Sequence, residues 1–104
     1  MAWQVARACA IRIHRYADLE WKPQRAAALD QLRRASLSVV LNIVEGHASG
    51  RGARCRYHMR IAHGSAVEAA EIIDFLAELG EEVGELLPEA RRLAALTYGL
   101  WRAS

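Results

Sequence analysis

The sequence predicts an all-α protein: an antiparallel up-and-down four-helix bundle in which residues 1–104 form a single domain. Three observations support this fold class. Apolar residues recur at three- and four-residue spacing in four segments, and no stretch shows the two-residue alternation of a strand. The connections between the segments are short, which favours antiparallel neighbours. Finally, 53% of the 104 residues are hydrophobic, enough for one compact core.

The first two helices are predicted over about residues 2–18 and 23–45. Pro23 suits the first turn of the second helix, where a missing N–H loses no hydrogen bond. Gly46 is predicted to end that helix, and residues 47–52 form a glycine-rich connection. The buried side of the first helix is predicted to carry Trp3, Ala6, Cys9, Ala10, Ile13, Tyr16 and Ala17. That of the second is predicted to carry Leu29, Leu32, Val39, Val40 and Ile43.

The third helix is predicted over about residues 53–79, and the fourth from Pro88 to about residue 103. Gly80 is predicted to stop the third helix, and Pro88 suits the first turn of the fourth. One side of the third helix carries Tyr57, Ile61, Ser65, Glu68, Ile72, Phe75, Leu76 and Leu79. Acidic residues follow on its reverse side and beyond its end, at Glu71, Asp74, Glu78, Glu81 and Glu82. The apolar contacts of the fourth helix are predicted to come from Leu93, Leu96, Leu100 and Trp101.

A thin polar line runs along the otherwise apolar second helix. At about 100° per residue its members fall within an arc of roughly 80°. They are Gln31, Arg34, Ser38, Asn42 and Glu45. Apolar side chains, Leu37, Leu41 and Val44, crowd one edge of the line. A helix that is apolar over most of its circumference is usually buried on more than one side.

Glu68 is the predicted partner of this line, because a carboxylate beside Ile61, Ile72 and Phe75 is costly to bury without a partner. Arg34 is its candidate partner, since an arginine fork can bind a carboxylate through two hydrogen bonds. We predict a buried network that fixes the register between the second and third helices, formed by Arg34, Ser38, Asn42, Glu45, Ser65 and Glu68. Two alternatives are a ligand or catalytic pocket built from the same residues, and an exposed polar face that would leave Leu37 and Leu41 close to water.

Several spaced motifs resemble a known family. They are Gln31-Leu-Arg-Arg-Ala35, Ser38, Asn42-Ile43, Glu45-Gly46 and Ile61-Ala62-x-Gly64-Ser65-x-x-Glu68, with Trp3-Gln4 near the start of the first helix. Together they resemble the four-helix bundle proteins encoded in intervening sequences of 23S rRNA genes. The resemblance covers nearly the whole chain, although Arg54, Cys55 and His58 replace the acidic and aromatic residues usual early in the third helix.

The resemblance implies a subunit that assembles as a ring, notably a homopentamer, with no established enzymatic activity. A related bundle is an accessory protein to the reverse transcriptase of diversity-generating retroelements, where it contacts nucleic acid. The chain is therefore expected to be a non-enzymatic, self-assembling scaffold or adaptor. The alternative is a nucleic-acid-binding accessory protein of the reverse-transcriptase type.

Charge is distributed unevenly along the chain. Residues 1–60 hold eleven Lys and Arg against four Asp and Glu, whereas residues 61–104 hold three against eight. Such asymmetry permits RNA or DNA binding at one face, and it equally permits charge pairing between helices or subunits. The candidates for RNA or DNA binding are the basic loop and helix-three start, Arg51, Arg54, Arg56 and Arg60, with Arg7, Arg12 and Arg15 on the first helix.

Neither a catalytic nor a metal site is expected. The four histidines, His14, His47, His58 and His63, form no metal-binding pair, and the 58–63 spacing turns those two rings about 140° apart. His63-Gly-Ser65 with Glu68 gives no plausible triad, because neighbours two apart on a helix diverge. Cys9 and Cys55 are expected to be reduced. No cofactor and no membrane partner are expected, and the default compartment is the cytoplasm.

Overall fold

Four α-helices make up the chain in the computed structural model, which describes residues 2–104. They are α1 (Ala2–Leu19), α2 (Ala26–Ala48), α3 (Ala53–Glu78) and α4 (Leu86–Ala103), and a short 3₁₀ turn, Pro23–Arg25, leads into α2. Met1 lies outside the described residues. The bounds agree with the sequence-based prediction to within about three residues, apart from the 3₁₀ geometry at the start of α2.

The helices pack as an up-and-down bundle, which confirms the predicted fold class. Each helix contacts its neighbour in sequence, α4 closes the bundle against α1, and the α2–α3 contact is the most extensive. The molecule measures 42 × 19 × 19 Å. Its length matches that of a single helix of about 26 residues at 1.5 Å per residue. The four helices therefore lie side by side along one axis.

The turn after α3 is closed by glycine, as the sequence predicts. Gly80 has a φ of 96°, and its N–H donates to Ala77 O at 3.0 Å. The N–H of Glu81 donates to Leu76 O at 3.0 Å. This pair of bonds is a Schellman motif, which uses a residue with positive φ to satisfy the last carbonyl groups of a helix. The position therefore requires glycine and lets the chain reverse into α4.

Gly46 does not end α2, so that prediction is wrong. The helix continues through it to Ala48, and the positive φ angles fall later, at Gly50 and Gly52. Gly46 is buried, and a Cβ atom added there would lie 2.8 Å from Met59 Cε. The glycine therefore makes room for Met59 of α3 and does not supply a turn.

The buried side of α3 also differs from the prediction. It consists of Met59, Ala62, Ala66, Ala69, Ile73 and Leu76. Of the predicted set only Leu76 belongs to it, whereas Tyr57, Phe75 and Leu79 are exposed. The prediction favoured the largest apolar side chains, whereas half of the buried positions on α3 are alanines, which lie between Met59 on one side and Ile73 and Leu76 on the other. In α1, Ala6, Cys9, Ala10, Ile13 and Ala17 are buried as predicted, while Trp3 is exposed.

Candidate functional site

Polar side chains join α2 to α3 at three successive levels, here called the α2–α3 seam. Gln31 Nε2 donates to Glu68 Oε2 at 2.6 Å. The hydroxyls of Ser38 and Ser65 share a hydrogen bond of 2.8 Å. At the third level His58 Nδ1 donates to Asn42 Oδ1 at 3.0 Å. Asn42 Nδ2 in turn donates to Ser38 of its own helix, to the backbone O at 2.9 Å and to Oγ at 3.2 Å. The seam thus connects one side of α2 to one side of α3 over about half the length of α2.

Arg34 does not pair directly with Glu68, which corrects the sequence-based prediction. Its Nε and Nη2 atoms donate instead to Gln31 Oε1, at 3.2 and 3.0 Å. Gln31 therefore stands between the guanidinium and the carboxylate, and its amide serves both. Glu68 is exposed, and the serines and Asn42 are only half-buried. The carboxylate keeps its hydration because it lies at the outer edge of the helix pair, so it does not need a buried ionic partner.

Glu45 lies outside the seam. Its side chain is exposed, and only its backbone oxygen takes part in the bonds at the end of α2, accepting from Ser49 Oγ at 2.7 Å.

His58 is the member of the α2–α3 seam that sequence reasoning missed. It lies seven residues before Ser65, and this two-turn spacing could have placed it on the same side of α3.

A second polar contact lies between α3 and α4. His63 Nδ1 donates to Ala94 O at 3.0 Å and lies 3.3 Å from Thr97 Oγ1. Thr97 is fully buried, and its hydroxyl bonds to carbonyl oxygens of its own helix at Leu93 and Ala94. The His63 ring stacks on Trp101 and meets the edge of Tyr98. His58 and His63 thus serve opposite sides of α3, in agreement with their spacing.

The four arginines proposed for nucleic acid do not share one surface. Arg56 Nε donates to Ser104 O at 3.3 Å, which places this side chain beside the end of α4. Arg60 follows one turn later on the same side, whereas Arg54 points about 160° away from Arg56 around the helix. Arg51 lies in the loop between Gly50 and Gly52 and lines a hollow with His47, Cys55 and Ser104.

Ion pairs fix the outer parts of the bundle. Arg33 contacts Asp18 of α1 and Asp30 of its own helix. Lys22 Nζ and Arg25 Nε both lie 2.9 Å from Glu81 Oε2, and the hydrogen bond from Lys22 is the main cause that lowers the Glu81 pKa.

Two further pairs involve α4. Arg12 Nε lies 2.8 Å from Glu89 Oε1, and Arg91 Nη2 lies 4.0 Å from Asp74 Oδ2. Such surface pairs contribute little each, about 0–1 kcal/mol. Of the five acidic residues predicted on the reverse side of α3 and beyond its end, Glu71, Glu78 and Glu82 have no ion-pair partner within residues 2–104.

No group of three or more His, Cys, Asp or Glu side chains that could hold a metal ion occurs within residues 2–104. Both cysteines are free, and burial is the main cause that raises the pKa of the Cys9 thiol. No helix in the described part of the chain is long and apolar enough to cross a membrane.

The outer side of α2 presents an exposed apolar stripe formed by Leu37, Leu41 and Val44. These side chains are 47%, 52% and 45% exposed, and they follow one another at one-turn spacing. The stripe borders a groove between α1 and α2 whose floor includes Ala10, Ile11, Leu37 and Val40. Arg7, Arg15 and Asp18 lie at the sides of this groove. The surface therefore combines apolar area with a border of two arginines and Asp18, whose carboxylate is paired with Arg33.

The α2–α3 seam can do little chemistry by itself, because its hydroxyl and amide groups already bond to one another. By contrast, the outer surfaces of α1, α2 and α3 leave apolar side chains exposed and charged side chains such as Glu71 and Glu78 without ion-pair partners among residues 2–104. The sequence model of one protein family, described as 23S rRNA-intervening sequence protein, matches residues 1–99. No curated protein matches the sequence.

Proposed function

Because the chain belongs to the family of 23S rRNA-intervening sequence proteins, we propose that it is a non-enzymatic, self-assembling scaffold or adaptor. The assembly is a homo-oligomer and, from the resemblance to that family, a homopentamer. The observation that carries this proposal is the stripe of Leu37, Leu41 and Val44 on the outer side of α2, since a contiguous exposed apolar surface usually marks an interface.

A closed ring requires two different surfaces on each subunit. The first is the α1–α2 groove with the adjacent stripe, where Arg7 and Arg15 border the apolar floor. The second is the outer side of α3, where exposed Phe75 lies between Glu71 and Glu78. These surfaces complement one another, because the Phe75 ring of one subunit fits the apolar groove of the next. The carboxylates beside that ring would then meet the arginines beside the groove. Opposite charges at the edges would set the orientation of the contact.

The test of assembly is the native mass of a double variant, Leu37→Ser with Leu41→Ser. The subunit mass is 11.6 kDa. We expect light scattering to give an oligomer for the unchanged protein and a monomer for the variant. Leu19→Ser is the matched control, because Leu19 is 83% exposed but lies at the end of α1, away from the stripe. A monomeric unchanged protein would contradict the proposal.

A charge-reversal arm tests the second surface. Glu71→Lys combined with Glu78→Lys should weaken assembly, and the same double reversal at Glu20 and Glu82 should not. We leave Asp74 unchanged because it already faces Arg91 within the chain. An oligomer that keeps its mass after reversal at Glu71 and Glu78 would reject this contact while leaving the α2 stripe as an interface.

The alternative function, nucleic-acid binding by Arg51, Arg54, Arg56 and Arg60, has weaker support than assembly. Arg54 lies on a different side of α3 from Arg56 and Arg60, so the four charges would not follow one strand. Arg56 and Arg60 share one side of α3, and Arg56 reaches the end of α4.

A further inference from the structure

Two segments of the chain carry arginines and no acidic residue. The segments 46–67 and 90–104 together hold seven arginines and neither Asp nor Glu. The bond from Arg56 to Ser104 O and the bond from His63 to Ala94 O bring the start of α3 beside the end of α4. Arg56 and Arg60 of α3 and Arg102 of α4 are thus brought towards one surface, whereas Arg54 points away from Arg56 and Arg91 faces Asp74.

Three aromatic rings lie on this surface. The ring centroids of His63 and Trp101 are 5.9 Å apart with an angle of 25° between planes, which is a stacked arrangement. Tyr98 meets His63 and Trp101 edge-on, at 5.4 and 6.0 Å. Tyr98 is 50% exposed, so part of its ring is open to solvent. The three residues form a continuous aromatic cluster across α3 and α4.

Hydrogen bonds hold the His63 ring of this cluster in place. His63 Nδ1 must carry a hydrogen, because its partner, Ala94 O, can only accept. The buried Thr97 hydroxyl lies 3.3 Å from His63 Nδ1 and is itself bonded to Leu93 O and Ala94 O. The His63 ring, and Trp101 stacked on it, therefore lose little side-chain freedom when a flat ligand binds beside them.

Arginines border the cluster on both helices. Arg60 precedes His63 by three residues and Arg102 follows Tyr98 by four, so each lies on the same side of its helix as that ring. Arg56 lies one turn before Arg60. We name this surface, formed by Arg56, Arg60, His63, Tyr98, Trp101 and Arg102, the aromatic–basic platform.

We propose that the aromatic–basic platform binds single-stranded nucleic acid. Unpaired bases stack on Tyr98 and on the open parts of the neighbouring rings, and the arginines contact the phosphates. A duplex cannot offer its base faces, so it has only the phosphate contacts. RNA and DNA present the same bases and phosphates in this respect. The platform involves none of the residues assigned to assembly, and the inference therefore stands independently of the proposed function.

The test is binding of fluorescein-labelled 20-nucleotide oligo(U), oligo(dT) and a mixed-sequence duplex, followed by fluorescence anisotropy at 50 and 200 mM salt. We expect both single strands to bind more tightly than the duplex at 50 mM salt. Tyr98→Ala should weaken binding of single strands at least about fivefold, and Tyr98→Phe should retain it because the ring still stacks. Replacing Arg56, Arg60 and Arg102 by Gln should reduce the logarithmic salt slope by about 2.

Tyr57→Ala is the matched control. Tyr57 is as exposed as Tyr98 but lies about 120° around α3 from His63, outside the aromatic cluster. Circular dichroism checks that each variant folds, and light scattering checks that Tyr98→Ala leaves the native mass unchanged. Absence of binding at 50 mM salt would overturn the proposal, as would equal losses from Tyr57→Ala and Tyr98→Ala. Equal affinity for the duplex would reduce the surface to a general basic patch and would also overturn it.

Discussion

The inner and outer sides of α3 use apolar residues in opposite ways. The inner side buries Ala62, Ala66 and Ala69, whereas the outer side exposes the larger Tyr57 and Phe75. Distance between helices explains the difference, because interaxial separations depend on the size of the side chains at the contact. Alanine lets α2 and α4 approach α3 closely. Large apolar residues occupy the inner side only towards its two ends, at Met59, Ile73 and Leu76, whereas Tyr57 and Phe75 on the outer side remain available for contact with other molecules.

The difference between the two sides of α3 is tested most strongly by placing a large side chain on the inner side. Ala66→Leu should lower the free energy of unfolding by about 1–3 kcal/mol, because a fully buried alanine has no adjacent space for three more carbon atoms. Urea unfolding followed by circular dichroism measures the change. Val67→Leu, at the adjacent position, is the control. Val67 is exposed, so this variant should change the free energy of unfolding by less than about 0.5 kcal/mol. A harmless Ala66→Leu would mean that the inner side is loosely packed.

Sequence periodicity was sufficient for the fold but not for this choice of sides. Four helices and their bounds follow from three- and four-residue spacing and from glycine and proline positions, as Gly80 illustrates. On α3, however, both an alanine side and a large apolar side repeat with helical spacing. Only the positions of α2 and α4 decide which side is buried, and local sequence does not contain them. For the same reason Gly46 is read as a stop, although its role depends on Met59.

The candidate site was predictable to a similar extent. The polar line on α2 identified Ser38 and Asn42, and the third helix supplied Ser65 and Glu68. What the sequence could not supply was the distance of each pair from solvent. A buried Glu68 requires an arginine, whereas an exposed Glu68 accepts the neutral Gln31, and burial depends on the crossing of two helices. The aromatic cluster of His63, Tyr98 and Trp101 was also missed, because it joins two helices over more than thirty residues of chain.

The seam between the two sides gives a smaller effect. Ser38→Ala and Ser65→Ala should each cost about 0.5–1.5 kcal/mol, because each removes the shared hydrogen bond. In a double-mutant cycle the two changes should couple by at least about 0.5 kcal/mol. Ser65→Ala and Ser49→Ala should be additive, since Ser49 bonds only within its own helix end. Additivity of Ser38 and Ser65 would show that the seam does not contribute to pairing of α2 with α3.

The smallest effect on folding is expected on the outer side, at Phe75→Ala. Phe75 is more than half exposed, and alanine has the higher helix propensity, so the unfolding free energy of dilute protein should change by less than about 0.5 kcal/mol. Assembly provides a second measurement for the same residue. If Phe75 enters the groove of a neighbouring subunit, the midpoint of thermal unfolding rises with protein concentration, because association stabilises the folded state by mass action. The variant should lose most of that rise while keeping the dilute-protein midpoint. A loss above about 1 kcal/mol at high dilution would instead assign Phe75 to the core, and the inner and outer sides of α3 would no longer differ in the way described.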